Sequence, residues 1–232
     1  MREIPGIPYR FNDPELLKLA LSHRSVGKFN NERLEFLGDS ILSAVVSARL
    51  FELREDNSEG DLSRLRARLV RGQTLAKLAT GLNLGEFLHL GEGEMKSGGN
   101  NRKSILADAL EAILGAIYLD GGYASCARVI LHICDEEINS LPDAGDLKDP
   151  KTRIQEWLQA HGYSLPEYRL VSEKGPPHKK EFLVQMTARG AGLDVAGSGG
   201  SRQKAEQAAA TAALEIIASE NPGRAKGNRT QR

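Results

Sequence analysis

Cysteine is scarce in this 232-residue chain. Cys126 and Cys134 are the two present, too few for a disulfide framework and without the spacing of a metal-binding cysteine motif. No apolar run approaches the roughly 20 residues that a membrane helix needs. Residues 1–10 carry charge and two prolines but no apolar block, so they do not form a secretory signal. An excess of one charge is missing as well, with 31 Lys and Arg against 31 Asp and Glu. What remains is ordinary globular usage, 40% hydrophobic and 27% charged, which excludes collagen-like, low-complexity and wholly disordered chains. The chain reads as a soluble, cytoplasmic protein of one large domain or two modest ones.

The balanced charge hides an asymmetry. Residues 1–148 hold 18 Lys and Arg against 22 Asp and Glu, a net of −4, whereas residues 149–232 hold 13 against 9, a net of +4. Opposite signs in two halves point to two modules with different partners. The basic half suits a polyanion or an acidic protein. The acidic half is either solvated or gathers carboxylates around a cation.

Helical periodicity dominates the first 138 residues. Asn12-Asp13-Pro14 supplies a cap and an early proline for a first helix. Residues 32–53 read as a long helix that becomes apolar nearly all round after Ile41, as a buried helix does. Ser58 and Glu59 open a helix running on to Leu78. Residues 91–101, with four glycines, read as a loop. Residues 102–119 and 123–138 read as two helices split at Gly121-Gly122. Residues 139–148 have the punctuation of a linker. In residues 149–218 a short helix, three alternating strands and an Ala-rich helix give an α-β-β-β-α order, a small α+β module. Residues 219–232 form a basic tail with the composition of a disordered segment.

The segment Asn31-Glu-Arg-Leu-Glu-Phe-Leu-Gly-Asp-Ser40 carries the first chemistry. At about 100° per residue, with Glu32 at zero, Glu35 falls near ~300° and Asp39 near ~340°. Leu34, Leu37, Ile41 and Val45 fall between about 140° and 220°, opposite the acids. Like charges at these spacings destabilise a helix by a few tenths of a kcal/mol per pair. A second pair, Asp108 and Glu111, shares one face of another apolar helix. Each pair alone fits equally well a solvated face or neutralisation by Arg33, Arg64 or Arg68. Two such pairs in one acidic half favour an all-oxygen cation site, whose hard ligands suit Mg²⁺ or Mn²⁺. His23, His89, His132 and His161 are scattered, so no nucleophilic triad competes.

The 31–40 segment resembles the hallmark sequence of the ribonuclease III family, and Asp108 and Glu111 fall where that family carries its second acidic pair. Leu21-Ser-His-Arg-Ser25, Glu59-Gly-Asp-Leu-Ser-Arg64, Leu69-Val-Arg-Gly72 and Lys96-Ser-Gly-Gly99 resemble it too. The resemblance implies an all-α ribonuclease III endonuclease domain (1–138), followed by a small α+β double-stranded RNA-binding domain (149–218). It implies Glu35, Asp39, Asp108 and Glu111 as the metal cluster, with Asp39 and Glu111 closest to the chemistry. Glu32 and Glu59 match positions beside the cleft and the dimer partner. Mg²⁺, replaceable by Mn²⁺, is the implied cofactor, with no organic cofactor and no membrane partner. The implied activity is hydrolysis of double-stranded RNA by a homodimer to 5′-phosphate and 3′-hydroxyl ends. Ribosomal precursors and other structured transcripts, messenger and transfer RNA among them, are the implied substrates.

In the basic module, Gly197-Ser-Gly-Gly-Ser-Arg-Gln-Lys204 runs a glycine-rich turn into a helix start, where Ser201, Arg202 and Lys204 would face a phosphate. Gly175-Pro-Pro-His-Lys-Lys180 is a turn with a basic tip, Lys179 and Lys180, and its His178 resembles the family's groove-inserted histidine. Thr152, Gln155 and Glu156 resemble its other groove contact, Glu156 as an acceptor for a 2′-hydroxyl that DNA lacks. Trp157, Tyr163, Tyr168 and Phe182 read as core rather than a stacking platform, which argues against a single-strand reader. Two rivals remain: a double-stranded RNA-binding regulator that no longer cleaves, which four retained acids disfavour, and a DNA-binding helical protein, for which no basic recognition helix appears.

Overall fold

Asp13 accepts from the Glu15 N–H and Pro14 opens α1 (Pro14–Ala20), so the first helix begins where its cap chemistry places it. A computed structural model describes residues 1–176 and 178–220; the expected basic tail, apart from residues 219 and 220, lies outside the described residues. The chain divides into two units between Ala144 and Gly145, each described here by itself.

The first unit is helical. α2 (Glu32–Leu53) and α6 (Lys103–Ile133) form its centre, joined by α3 (Glu59–Val70), α4 (Gly72–Gly81) and the short α5 (Glu92–Lys96), and followed by α7 (Asp135–Asn139). The core is aliphatic, built on Leu42, Val46 and Leu50 of α2 and Leu110, Ile113, Leu114 and Ile117 of α6.

Four expectations from the sequence are corrected. The helix expected from Ser58 to Leu78 breaks at Arg71, whose ψ of 146° is extended. The apolar stripe continues in phase across the break, so periodicity hides it; Gly72, a poor helix former, marks it. Residues 91–101 are not all loop: α5 and a 3₁₀ turn at Gly99–Asn101 fill them, tied by an Arg102–Glu94 ion pair at 2.7 Å. The helix expected over 123–138 ends at Ile133, with the short α7 after Cys134, whereas the split expected at Gly121-Gly122 is present: Gly122, at φ 74° and ψ 177°, is non-helical and divides α6, a positive-φ conformation that glycine adopts without steric cost.

Last, α2 is not buried all round. Its buried residues are Leu34, Gly38, Ile41, Leu42, Val45, Val46 and Leu50. Leu37 is half-buried, and Phe36 and Phe51 stand 77% and 73% exposed. Gly38 and Leu42 fall near ~240° and ~280° on the wheel, so the carboxylates border the packed face rather than oppose it.

The second unit has the expected order: α8 (Pro150–Ala160), β1 (Glu167–Lys174), β2 (Glu181–Ala188), β3 (Leu193–Gly199) and α9 (Arg202–Glu220). The sheet is antiparallel in the order β1-β2-β3, with a register shift between Leu170 and Ser172. Ile154 and Leu158 of α8, Met186 and Val195 of the sheet, and Ala209, Ala210 and Ala213 of α9 make its core. Small residues on α9 let that helix lie close to the strands.

Candidate active site

The two acidic pairs meet because two glycines let their helices touch. A Cβ added at Gly38 would lie 1.8 Å from the Glu111 carbonyl oxygen, and one added at Gly115 would lie 2.2 Å from the Leu34 carbonyl oxygen. At such a backbone approach, side chains flanking the contact must converge. Glu35 and Asp39 flank Gly38; Asp108 and Glu111 precede Gly115 within two turns. Carboxylate oxygens of Glu35, Asp108 and Glu111 all lie within 4.8 Å of one another. Asp39, expected with them, is exposed and outside that trio, but its charge acts on Glu111.

The electrostatics follow from crowding. Burial, then the charges of Asp39, Glu35 and Asp108, push the Glu111 carboxyl up to about 8. Glu35 is raised by burial, Asp108 and Glu32. Asp108 is raised by burial, against the lowering influence of His23 and Arg24. No ion pair among the described residues neutralises any of the four acids. Arg64, one expected neutraliser, binds Asp61 at 2.6 Å. Converging oxygens with no Lys or Arg bound to them are a donor set that fits a hard divalent cation.

Glu32 and Glu59 lie outside the trio, though Glu32 lines a cavity of about 300 Å³ with Glu35 and Asp108. Glu32 begins α2, exposed, with Arg24 at 3.8 Å. Glu59 begins α3 and accepts from the Ser63 hydroxyl at 2.8 Å. A larger cavity of about 650 Å³, between α4 and the end of α6, contains none of these acids.

In the second unit, Thr152, Gln155 and Glu156 lie on the exposed face of α8, opposite the buried Ile154 and Leu158. Glu156 is engaged by Lys148, at 2.8 and 3.0 Å. His178 and Lys179 are exposed in the β1–β2 turn, and Lys180 pairs with Glu173. Ser201 accepts from the Lys204 N–H at 3.2 Å, which leaves the Lys204 side chain exposed. Arg202 pairs with Glu206 at 3.0 Å. Four of the nine expected contacts, Glu156, Lys180, Ser201 and Arg202, therefore carry a local partner that an RNA phosphate or hydroxyl would have to displace.

Sequence reasoning missed Gly38 and Gly115. Their signal was available, since glycine inside an otherwise apolar helix costs about 1 kcal/mol against alanine and implies a packing reason.

Comparison with known proteins agrees with both units. A family model described as Ribonuclease-III-like matches residues 13–136, and one described as double-stranded RNA binding motif matches residues 150–217. The chain is 53% identical over 209 residues to Ribonuclease 3 of Alkalilimnicola ehrlichii, across 90% of this chain and 92% of that relative. It is 50% identical over 215 residues to Ribonuclease 3 of Nitrosococcus oceani, across 92% of each. A solved nuclease domain of ribonuclease III from Campylobacter jejuni, described for flexibility in a region involved in dimer formation, superposes with a TM-score of 0.56. It is 46% identical and covers 57% of this chain and 94% of its own.

Proposed function

The chain belongs to the ribonuclease III family, and we propose that it cleaves double-stranded RNA as a Mg²⁺-dependent homodimer with Glu35, Asp39, Asp108 and Glu111 at its centre. The observation that carries this reading is the convergence of Glu35, Asp108 and Glu111 within 4.8 Å at the α2–α6 crossing. These three hold the cation, Mg²⁺ or Mn²⁺ in its place, and Asp39 stands at the solvent edge where substrate arrives. A divalent cation bound there supplies the positive charge that acidifies water and offsets charge on the leaving oxygen. The carboxylates' part is to fix that charge and, for Asp39 and Glu111, to carry proton traffic at the scissile phosphate. Products carry 5′-phosphate and 3′-hydroxyl ends.

The second unit positions duplex RNA. Thr152, Gln155 and Glu156 present acceptors and donors to 2′-hydroxyls, and His178, Lys179, Lys180, Ser201, Arg202 and Lys204 meet phosphates and groove. Dimerisation is supported by Phe36 and Phe51, whose exposed rings share one face of α2, and by Phe29, 82% exposed just before it. Apolar rings aligned this way need a cover. A two-fold axis would give two clusters for two antiparallel strands. Among the described residues no helix is long and apolar enough to cross a membrane; the cytoplasm, with its ribosomal, messenger and transfer RNA precursors, is the proposed setting. The test is incubation of purified protein with end-labelled duplex RNA, single-stranded RNA and duplex DNA, each with Mg²⁺ or chelator. Cleavage of duplex RNA alone, and only with Mg²⁺, is expected; cleavage in chelator would overturn the assignment of the cluster.

A further inference from the structure

His23 is one of three polar residues buried in the described chain, at 8% exposure, alongside Ser22 and Asn31. The other two serve the backbone locally: the Ser22 hydroxyl donates to the Lys18 carbonyl at 2.8 Å, and the Asn31 amide to the Ala20 carbonyl at 3.2 Å. The His23 ring is placed differently. Its Nδ1 accepts from the Ser25 N–H at 3.2 Å and meets the Ser25 hydroxyl at 2.9 Å. That hydroxyl oxygen in turn accepts from the Gly91 N–H at 2.9 Å. The backbone is fixed as well, since the His23 N–H donates to the His89 carbonyl at 3.0 Å.

An Nδ1 used as an acceptor puts the ring proton of the neutral imidazole on Nε2. Nε2 has no hydrogen-bond partner among the described residues. The ring lines a cavity of about 300 Å³ together with Glu35 and Asp108. We propose that His23 is a positioning residue for Asp108, its Nε2–H steadying the carboxylate in the cavity they share. A ligand carboxylate held by a buried donor keeps its orientation toward the cation, and loss of such a donor typically costs about 10–100-fold in metal affinity. The proposal rests on Asp108 being a cation ligand.

The experiment compares His23→Ala, His23→Asn and His23→Gln in the full chain by titration calorimetry with Mn²⁺, with melting in chelator and duplex RNA binding in chelator alongside. Asparagine keeps the acceptor that caps Ser25 but has no donor at the Nε2 position; glutamine reaches that position with an N–H. Expected are a roughly 10–100-fold loss of Mn²⁺ affinity in the Ala and Asn variants and recovery of most of it in Gln, with RNA binding unchanged. Wild-type Mn²⁺ affinity in the Asn variant would overturn the proposal and reduce His23 to a loop cap. A raised KM for RNA with unchanged Mn²⁺ affinity would overturn it in favour of a substrate contact. If Ala fails to fold, the Asn and Gln pair still decides. Glu111→Gln serves as the control: undiminished Mn²⁺ binding there would remove the cation reading itself, whatever His23 does.

Discussion

The Glu111 carbonyl oxygen occupies the space into which a side chain at Gly38 would project, 1.8 Å from an added Cβ. This backbone contact joins fold and chemistry, because the same crossing that seals the core places Glu35 beside Glu111. Gly38→Ala is therefore expected to lose at least about 3 kcal/mol of stability and to cut cleavage sharply as the helices part. Gly81→Ala, at a helical position with nothing within 4 Å, should be neutral or stabilising by up to ~1 kcal/mol. Denaturant unfolding of the two variants checks the contrast.

Glu111 gives a pH signature. Its carboxyl is raised to about 8, by burial first and neighbouring acids second, so the folded state binds this proton more tightly than the unfolded chain. The favourable contribution is complete below an ordinary carboxyl pKa near 4.5 and is lost as pH rises toward about 8. In chelator, stability should fall across that window, by on the order of 1–2 kcal/mol after discounting for the half-exposed site. Glu111→Gln should flatten this part of the profile, and Mg²⁺ should do the same in the native chain. Urea unfolding at pH 5.5 and 8.5 measures it; identical slopes with and without the carboxylate would contradict it.

Asp120 anchors the N-terminal arm. Its carboxylate accepts from the Tyr9 hydroxyl at 2.7 Å and from the Asn12 and Asp13 N–H groups at 2.8 and 2.9 Å. Asp120→Ala should cost about 1–3 kcal/mol and release residues 1–13 to rapid amide exchange while the trio of acids remains in place. Hydrogen exchange with cleavage measured in parallel separates the two effects.

Phe51 tests assembly away from the acids. Phe51→Glu puts a charge into the proposed dimer face and should shift the protein to monomers in sedimentation. Melting in chelator should then become independent of protein concentration. A variant that still sediments as a dimer would place the interface elsewhere.

Much of this was legible in the residues. The 22-residue span of α2 follows from its continuous periodicity, and both acidic pairs stand out because Ala, Ile and Leu surround them. Phase was harder to read. The wheel set the acids opposite Leu34 and Ile41, yet the packed face extends through Gly38 and Leu42, because α6 lies against the glycine side. The break at Arg71 is hidden because buried Ala76 and Ala79 continue, to within about 60° on the wheel, the stripe of Leu65 and Leu69. Ion pairs such as Lys148–Glu156 depend on where long side chains end in space, which spacing along the chain does not state.

Glu111→Gln tests the central claim most directly, by measuring single-turnover cleavage and equilibrium binding of one duplex RNA in the same Mg²⁺ buffer. The substitution keeps size and removes the charge at the most crowded carboxylate. Cleavage should fall on the order of 1,000-fold or more while the dissociation constant stays within about threefold, since the proposed RNA contacts lie in the second unit. Cleavage at the native rate, with Glu111 uncharged, would contradict the account.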